Sequence, residues 1–110
     1  MNTVIKVFHM DPLEDGSGME KTHVANVTVK TLPNMVDPML EIAWVATQNI
    51  MGSWSRKDGN PDDRDFLEVV AELPVHRGVV YGLRSSMVGD LMEVDGRTFR
   101  VAGCGFEEVL

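Results

Sequence analysis

The sequence predicts an α+β fold, with one main helix over about residues 38–51 packed on a mostly antiparallel, curved sheet of five to six strands. Three observations predict it. Two Val-, Ile- and Thr-rich runs, TVIKVFHM (3–10) and THVANVTV (22–29), open the chain. One stretch, LPNMVDPMLEIAWVATQNIMG (32–52), carries apolar residues at helical spacing. Near the end, LMEV and RTFRV flank Asp95-Gly96, a favoured two-residue hairpin turn. The chain has 110 residues, which is the size of a single domain spanning 1–110.

The first two runs read as a hairpin, because the Gly/Asp-rich loop DPLEDGSG separates them. Setting Ile5 opposite Val27 places Val7 against Ala25 and Thr3 against Val29, which makes one face mostly apolar. The same register puts His9 opposite His23, as two ordinary surface histidines at the end of the hairpin. In the helix, Asp37 suits the N-cap, Pro38 the first turn and Gly52 the stop. Met39, Ile42, Ala43, Ala46 and Ile50 form its apolar stripe, and Leu40, Trp44 and Met51 widen it.

GSWSRKDGNPDDRD (52–65) is polar and contains Gly and Pro, so it reads as an exposed loop and a place for partner contact through Trp54, Arg56 and Lys57. FLEVVAELPV (66–75) reads as a strand ending near Pro74, and GVVYGL (78–83) as another short one. In the last hairpin the Asp95-Gly96 turn sets Met92 opposite Phe99 and Val94 opposite Arg97. That makes Met92, Val94, Phe99 and Val101 the core face.

The composition excludes several functions. The net charge is −7, and the longest basic run is the pair Arg56-Lys57, so nucleic-acid binding is disfavoured. An acidic surface suits solubility or a basic protein partner. No run of about 18 apolar residues marks a membrane span, and the N-terminus lacks the pattern of a signal peptide. The single cysteine, Cys104, rules out an intrachain disulfide and fits a cytoplasmic setting. Between two glycines it reads as a small buried residue without a base to activate it.

No metal or other cofactor is expected. The histidines and the cysteine are scattered, and Asp58, Asp62, Asp63 and Asp65 lack the spacing of a calcium loop. No nucleophile–base set is legible, so an enzyme is the least favoured class and no catalytic residue is assigned.

The most concentrated polar stretch is RSSMVGDLMEVDG (84–96). A phosphate-binding P-loop needs G-x-x-x-x-G-K-[ST] ahead of a long helix, whereas this stretch has no lysine and leads into a strand. Its structural reading is a turn. Ser85 or Ser86 caps a single helical turn through Val88, and Gly89 takes a positive φ. The Asp90 carboxylate, at the mouth of the hairpin, accepts the orphan N–H groups or pairs with Arg84. Arg84 then remains the one side chain free to touch a ligand.

RSSMVGDLMEVDG followed by RVAGCGFEEV resembles the motif R-S-x-S-V-G-D, a hairpin and a terminal G-F. That pattern is similar to the YodL-type domain of mobile elements and to small phage proteins, in which a strand pair precedes a helix ending near T-Q-N and a tryptophan, as TQNIMGSW (47–54) does here. Arg84, Ser85, Val88, Gly89, Asp90, Gly105 and Phe106 carry the resemblance, and Met87 departs from it. It implies a phage origin.

The leading expectation is therefore a small non-enzymatic phage accessory protein, acting by contact with a host or phage protein in the host cytoplasm. One alternative is a nucleic-acid or nucleotide-binding module that uses the Arg84-Ser85-Ser86 turn. Another is a homo-oligomeric structural protein that uses its open strand edges.

Overall fold

A computed structural model describes residues 1–50, 52–56 and 66–110. Its elements run β1 (Asn2–Pro12), β2 (Met19–Lys30), α1 (Val36–Ala46), β3 (Leu67–Val69), β4 (Val75–His76), β5 (Val79–Val80), β6 (Leu91–Val94), β7 (Arg97–Val101) and β8 (Phe106–Val109). Among the described residues, six strands form one open sheet in the order β3-β2-β1-β6-β7-β8, every pair antiparallel. β4 and β5 make a separate two-stranded ribbon.

The first hairpin follows the alternation of its side chains. Thr3, Ile5, Val7 and His9 are buried while Asn2, Val4 and Lys6 are exposed, as a strand with one face on a core requires. Ile5 pairs with Val27, Val7 with Ala25 and Thr3 with Val29. Beyond Val7 a β-bulge shifts the register, so Phe8 faces His23 and His9 faces Thr22. The bulge buries the consecutive residues Val24 and Ala25, and the Val24 carbonyl accepts the Val70 N–H at 3.0 Å just past β3. His9 is therefore not His23's cross-strand neighbour, nor a surface residue, since it is 2% exposed. His23 instead packs against Phe8, with ring centroids 4.9 Å apart.

α1 starts and stops earlier than its pattern suggests. Met35 occupies the N-cap without a side-chain cap, and Asp37 falls in the first turn, where its charge suits the helix dipole. The helix ends at Ala46, and the Thr47 hydroxyl donates back to the Ala43 and Trp44 carbonyls, at 2.9 and 3.2 Å. The following Gln48 and Asn49 turn to other partners. Gly52 is therefore not the stop, and Ile42 and Ile50 are exposed rather than in the stripe. Met39, Leu40, Ala43 and Ala46 face β1 and β2. Met51 lies outside the described residues.

The long strand expected over 66–75 is broken into β3 and, at Val75, the start of β4, and 78–83 contributes only β5. Arg77 and Gly78, both at positive φ, turn β4 into β5. The β6–β7 hairpin has the expected register, Met92 to Phe99 and Val94 to Arg97, with both turn residues at positive φ. Its inward residues Met92, Val94, Phe99 and Val101 are buried in the common core with Ile5, Val7, Leu40 and Trp54. β8 has no counterpart in the sequence reading. Cys104, expected to be buried, is exposed in the β7–β8 turn.

Candidate functional site

The polar residues picked out in the sequence meet at one end of the sheet, where the end of α1, the 81–90 segment and the end of β1 converge. Thr47, Gln48 and Asn49 hold the Arg-Ser stretch. The Ser86 N–H donates to the Thr47 carbonyl at 3.0 Å. Gln48 Nε2 donates to the Ser86 carbonyl at 2.9 Å, and the Asn49 side-chain amide donates to the Leu83 carbonyl at 3.1 Å. Ser85 Oγ accepts the Asn49 N–H at 2.8 Å. The serines thus do not cap a helical turn. Met87 to Asp90 forms a β-turn instead, closed by the Asp90 N–H on the Met87 carbonyl at 3.0 Å, with Gly89 at φ 97°.

Trp54 belongs to this construction. It is 2% exposed, its indole N–H donates to the Arg84 carbonyl at 2.7 Å, and its backbone N–H donates to Asn49 Oδ1 at 2.9 Å. The expected contact loop therefore begins inside the fold, and burial of Trp54 and Ser55 removes both from any partner surface. Arg56 is half-buried next to them, its N–H on Ser53 Oγ at 3.2 Å. Lys57 and the acidic residues Asp58, Asp62, Asp63 and Asp65 lie outside the described residues.

Asp90 is the centre. It is 1% exposed and accepts four hydrogen bonds, the capacity of a carboxylate. Oδ1 takes the Met10 N–H at 2.8 Å and Arg84 Nη2 at 2.9 Å; Oδ2 takes the Met87 N–H and Arg84 Nη1, each at 2.7 Å. Arg84 completes its own set through Nε to Asp11 Oδ1 at 3.0 Å, Nη1 to the Ser85 carbonyl at 2.9 Å and Nη2 to the Met10 carbonyl at 3.3 Å. All five guanidinium donors are engaged. Arg84 pairs with Asp90, as one of the two expected arrangements had it, and is not free to hold a phosphate without breaking a buried pair.

Ser86, His9 and Asp90 also lie together, the residue types of a hydrolytic triad, but their geometry is different. Thr47 spends its hydroxyl proton on the helix carbonyls. The 2.8 Å Thr47–Ser86 bond is then made by the Ser86 proton, and the 3.1 Å contact between His9 Nε2 and Ser86 Oγ by a proton on the histidine. With the Thr47 proton so placed the serine donates away from the imidazole, which is the reverse of a nucleophile facing its base. Asp90 Oδ2 stands 4.0 Å from the same Nε2, rather than orienting the ring through Nδ1. Ser86 itself is 2% exposed. Among the described residues, no buried side-chain nitrogen or oxygen lacks a hydrogen-bond partner, and no group of three His, Cys, Asp or Glu could hold a metal.

The electrostatics follow from burial. Desolvation lowers the His9 pKa from its ordinary 6.5, Asp90 and Asp11 work against that, and Arg84 adds to it. For Asp90, desolvation alone would raise the pKa. The Arg84 hydrogen bonds, the Met10 and Met87 N–H groups and the proximity of His9 outweigh it and hold the carboxyl below 3.8. Hydrogen bonds to Asp90 lead the causes that raise Arg84. Both His9 and Asp90 take up protons less readily folded than unfolded, so both penalise the fold in acid. Unfolding free energy measured by urea titration should start to fall below pH 6.5, as unfolded chains begin to bind the His9 proton. It should fall again below pH 3.8 through Asp90. A His9→Gln protein should lose the upper step and keep the lower; an upper step of unchanged size would refute the assignment.

The expected motif residues have separate fates. Gly89 and Asp90 join the network, with the Gly89 N–H on the Val101 carbonyl at 2.9 Å and the Val101 N–H on the Asp90 carbonyl at 2.8 Å. Val88 is 60% exposed, Gly105 shapes the β7–β8 turn at φ 86°, and Phe106 packs at the core margin. His9, Asp11, Thr47, Gln48 and Asn49 were not assigned to the site from the sequence. TQN lay in plain view there, and His9 continues the inward alternation of Thr3, Ile5 and Val7, whereas nothing local announced the bulge in β2 that sets Thr22 rather than His23 opposite it.

Fold and site together define a small open-sheet α+β domain whose buried polar residues tie remote chain segments to one another. No family model, curated protein or solved structure matches the chain.

Proposed function

We propose that the protein is a small non-enzymatic phage accessory protein that acts by protein–protein contact in the host cytoplasm. The phage origin rests on the resemblance carried by Arg84 to Asp90 and by Gly105-Phe106. One observation carries the mode of action: the polar side chains of the network are spent on one another, while apolar side chains remain outside. Ile42 and Val45, 44% and 48% exposed, line an open groove of about 280 Å³ with Glu41, Ala46 and Phe66. Apolar side chains gathered in an open groove offer a partner surface to bury. Glu41 at its rim and the net charge of −7 favour a basic partner protein.

In a bacterial host lysate, the immobilised protein should capture a specific basic protein. The Ile42→Glu/Val45→Glu double variant, changed only at exposed positions, should lose it while keeping its melting temperature. Capture that is indifferent to the double substitution, or no specific capture at all, would count against the reading.

A further inference from the structure

We propose that the β4–β5 ribbon is a docking arm for a second copy of this chain, seated against that copy's open β8 edge. The ribbon is exposed along its length. Val75, Val79, Val80 and Tyr81 are 65%, 52%, 45% and 48% exposed, and the Tyr81 N–H donates to the Pro74 carbonyl at 2.8 Å, extending the pairing by one rung. Among the described residues it pairs with no strand of the main sheet. A lone two-stranded hairpin is marginal in water, so an apolar one standing apart gains most from being covered.

Charge identifies what covers it. No acidic residue lies between Glu72 and Asp90, and Arg77 sits at the ribbon's tip, so in an acidic protein this arm is apolar and basic. The same chain carries the complement. Among the described residues β8 is a terminal strand of the open sheet with no strand paired on its outer side, and Glu107 and Glu108 lie along it. Arg100 and Arg97 of β7 bind these carboxylates from the inner side, with exposed ion pairs of 2.9 and 2.8 Å. A direct antiparallel pairing of two β8 edges about their centre would set Glu107 against the other copy's Glu108, and like charges opposed across a ladder are destabilising. The ribbon brings apolar side chains and a cation instead. Each copy owns one such arm and one β8 edge, so reciprocal exchange closes a two-fold dimer.

Sedimentation velocity over a hundredfold concentration range should show a monomer–dimer equilibrium. Val75→Glu/Val80→Glu and Glu107→Lys/Glu108→Lys should each weaken it at least tenfold, and so should Arg77→Glu. Combining Arg77→Glu with Glu107→Lys/Glu108→Lys in one chain should restore association, which also shows that the edge variants fold. A monomer at every concentration would overturn the proposal, as would a dimer unmoved by these substitutions or not recovered by the charge exchange. The proposal stands apart from the groove: a monomer that still captured a host protein would sink this inference and leave the proposed function intact.

Discussion

Replacing Asp90 with alanine should cost about 3–5 kcal/mol, the typical result of removing one partner of a buried charge pair. The loss has three sources. Arg84 keeps its charge but loses two of its five acceptors, and the Met10 and Met87 N–H groups lose the one carboxylate that joins them. A small domain has about 5–15 kcal/mol in total, so the variant should be near the limit of folding at 37 °C. Urea unfolding at 15 °C measures the difference. An Asp90→Ala protein as stable as its parent would show that the network does not hold this end of the sheet.

The second large effect is at Trp54. Trp54→Ala should cost about 3–5 kcal/mol, as truncation of a large buried aromatic does. Trp54→Phe keeps much of the packing but leaves the Arg84 carbonyl without its donor, and should cost about 1–3 kcal/mol. Thermal unfolding of the two variants separates packing from hydrogen bonding. A surface contact residue, as the loop's composition suggests Trp54 to be, would instead leave both variants near parental stability.

The contrast between these residues shows what the sequence could convey. The β6–β7 hairpin was legible to the residue, because Asp95-Gly96 fixes both turn type and register and the flanking alternation agrees with it. The first hairpin was legible as far as Val7. Past that point one extra residue in β2 reverses which side chains face inward, and a bulge formed by Val24-Ala25 has no local mark when both residues are apolar. The end of α1 is not legible because its apolar spacing runs on to Ile50, whereas the Thr47 carbonyl, the Gln48 side chain and the Asn49 N–H bind the remote Ser85-Ser86 segment. The hairpin register puts Asp90 on the inward face and offers Arg84 as one of two possible partners, and Asp90 is buried and paired with Arg84. That Arg84 had no donor left over could not be read from its neighbours in sequence, since Asp11 and Met10 lie more than 70 positions away. β8 was missed for a simpler reason: FEEV has two adjacent charges and little strand character until Arg97 and Arg100 stand beside them.

The strand order also bears on how the chain assembles. β1 lies in the middle of the sheet, with β2 on one side and β6 on the other, and its pairing with β6 joins Lys6 to Glu93. During synthesis β1 and β2 can close as soon as both have emerged, because only a short loop separates them. The β6 flank of β1 must wait until β6, more than 80 positions further along the chain, has emerged. For that interval the nascent chain carries an unpaired strand rim over Lys6 to Phe8, the kind of surface on which chains associate wrongly. Lys6 lies on that rim, where a charge discourages premature partners. The β1–β6 pairing thus unites segments more than 80 positions apart, and a truncation that removed the β6–β7 hairpin would leave β1 open on one side.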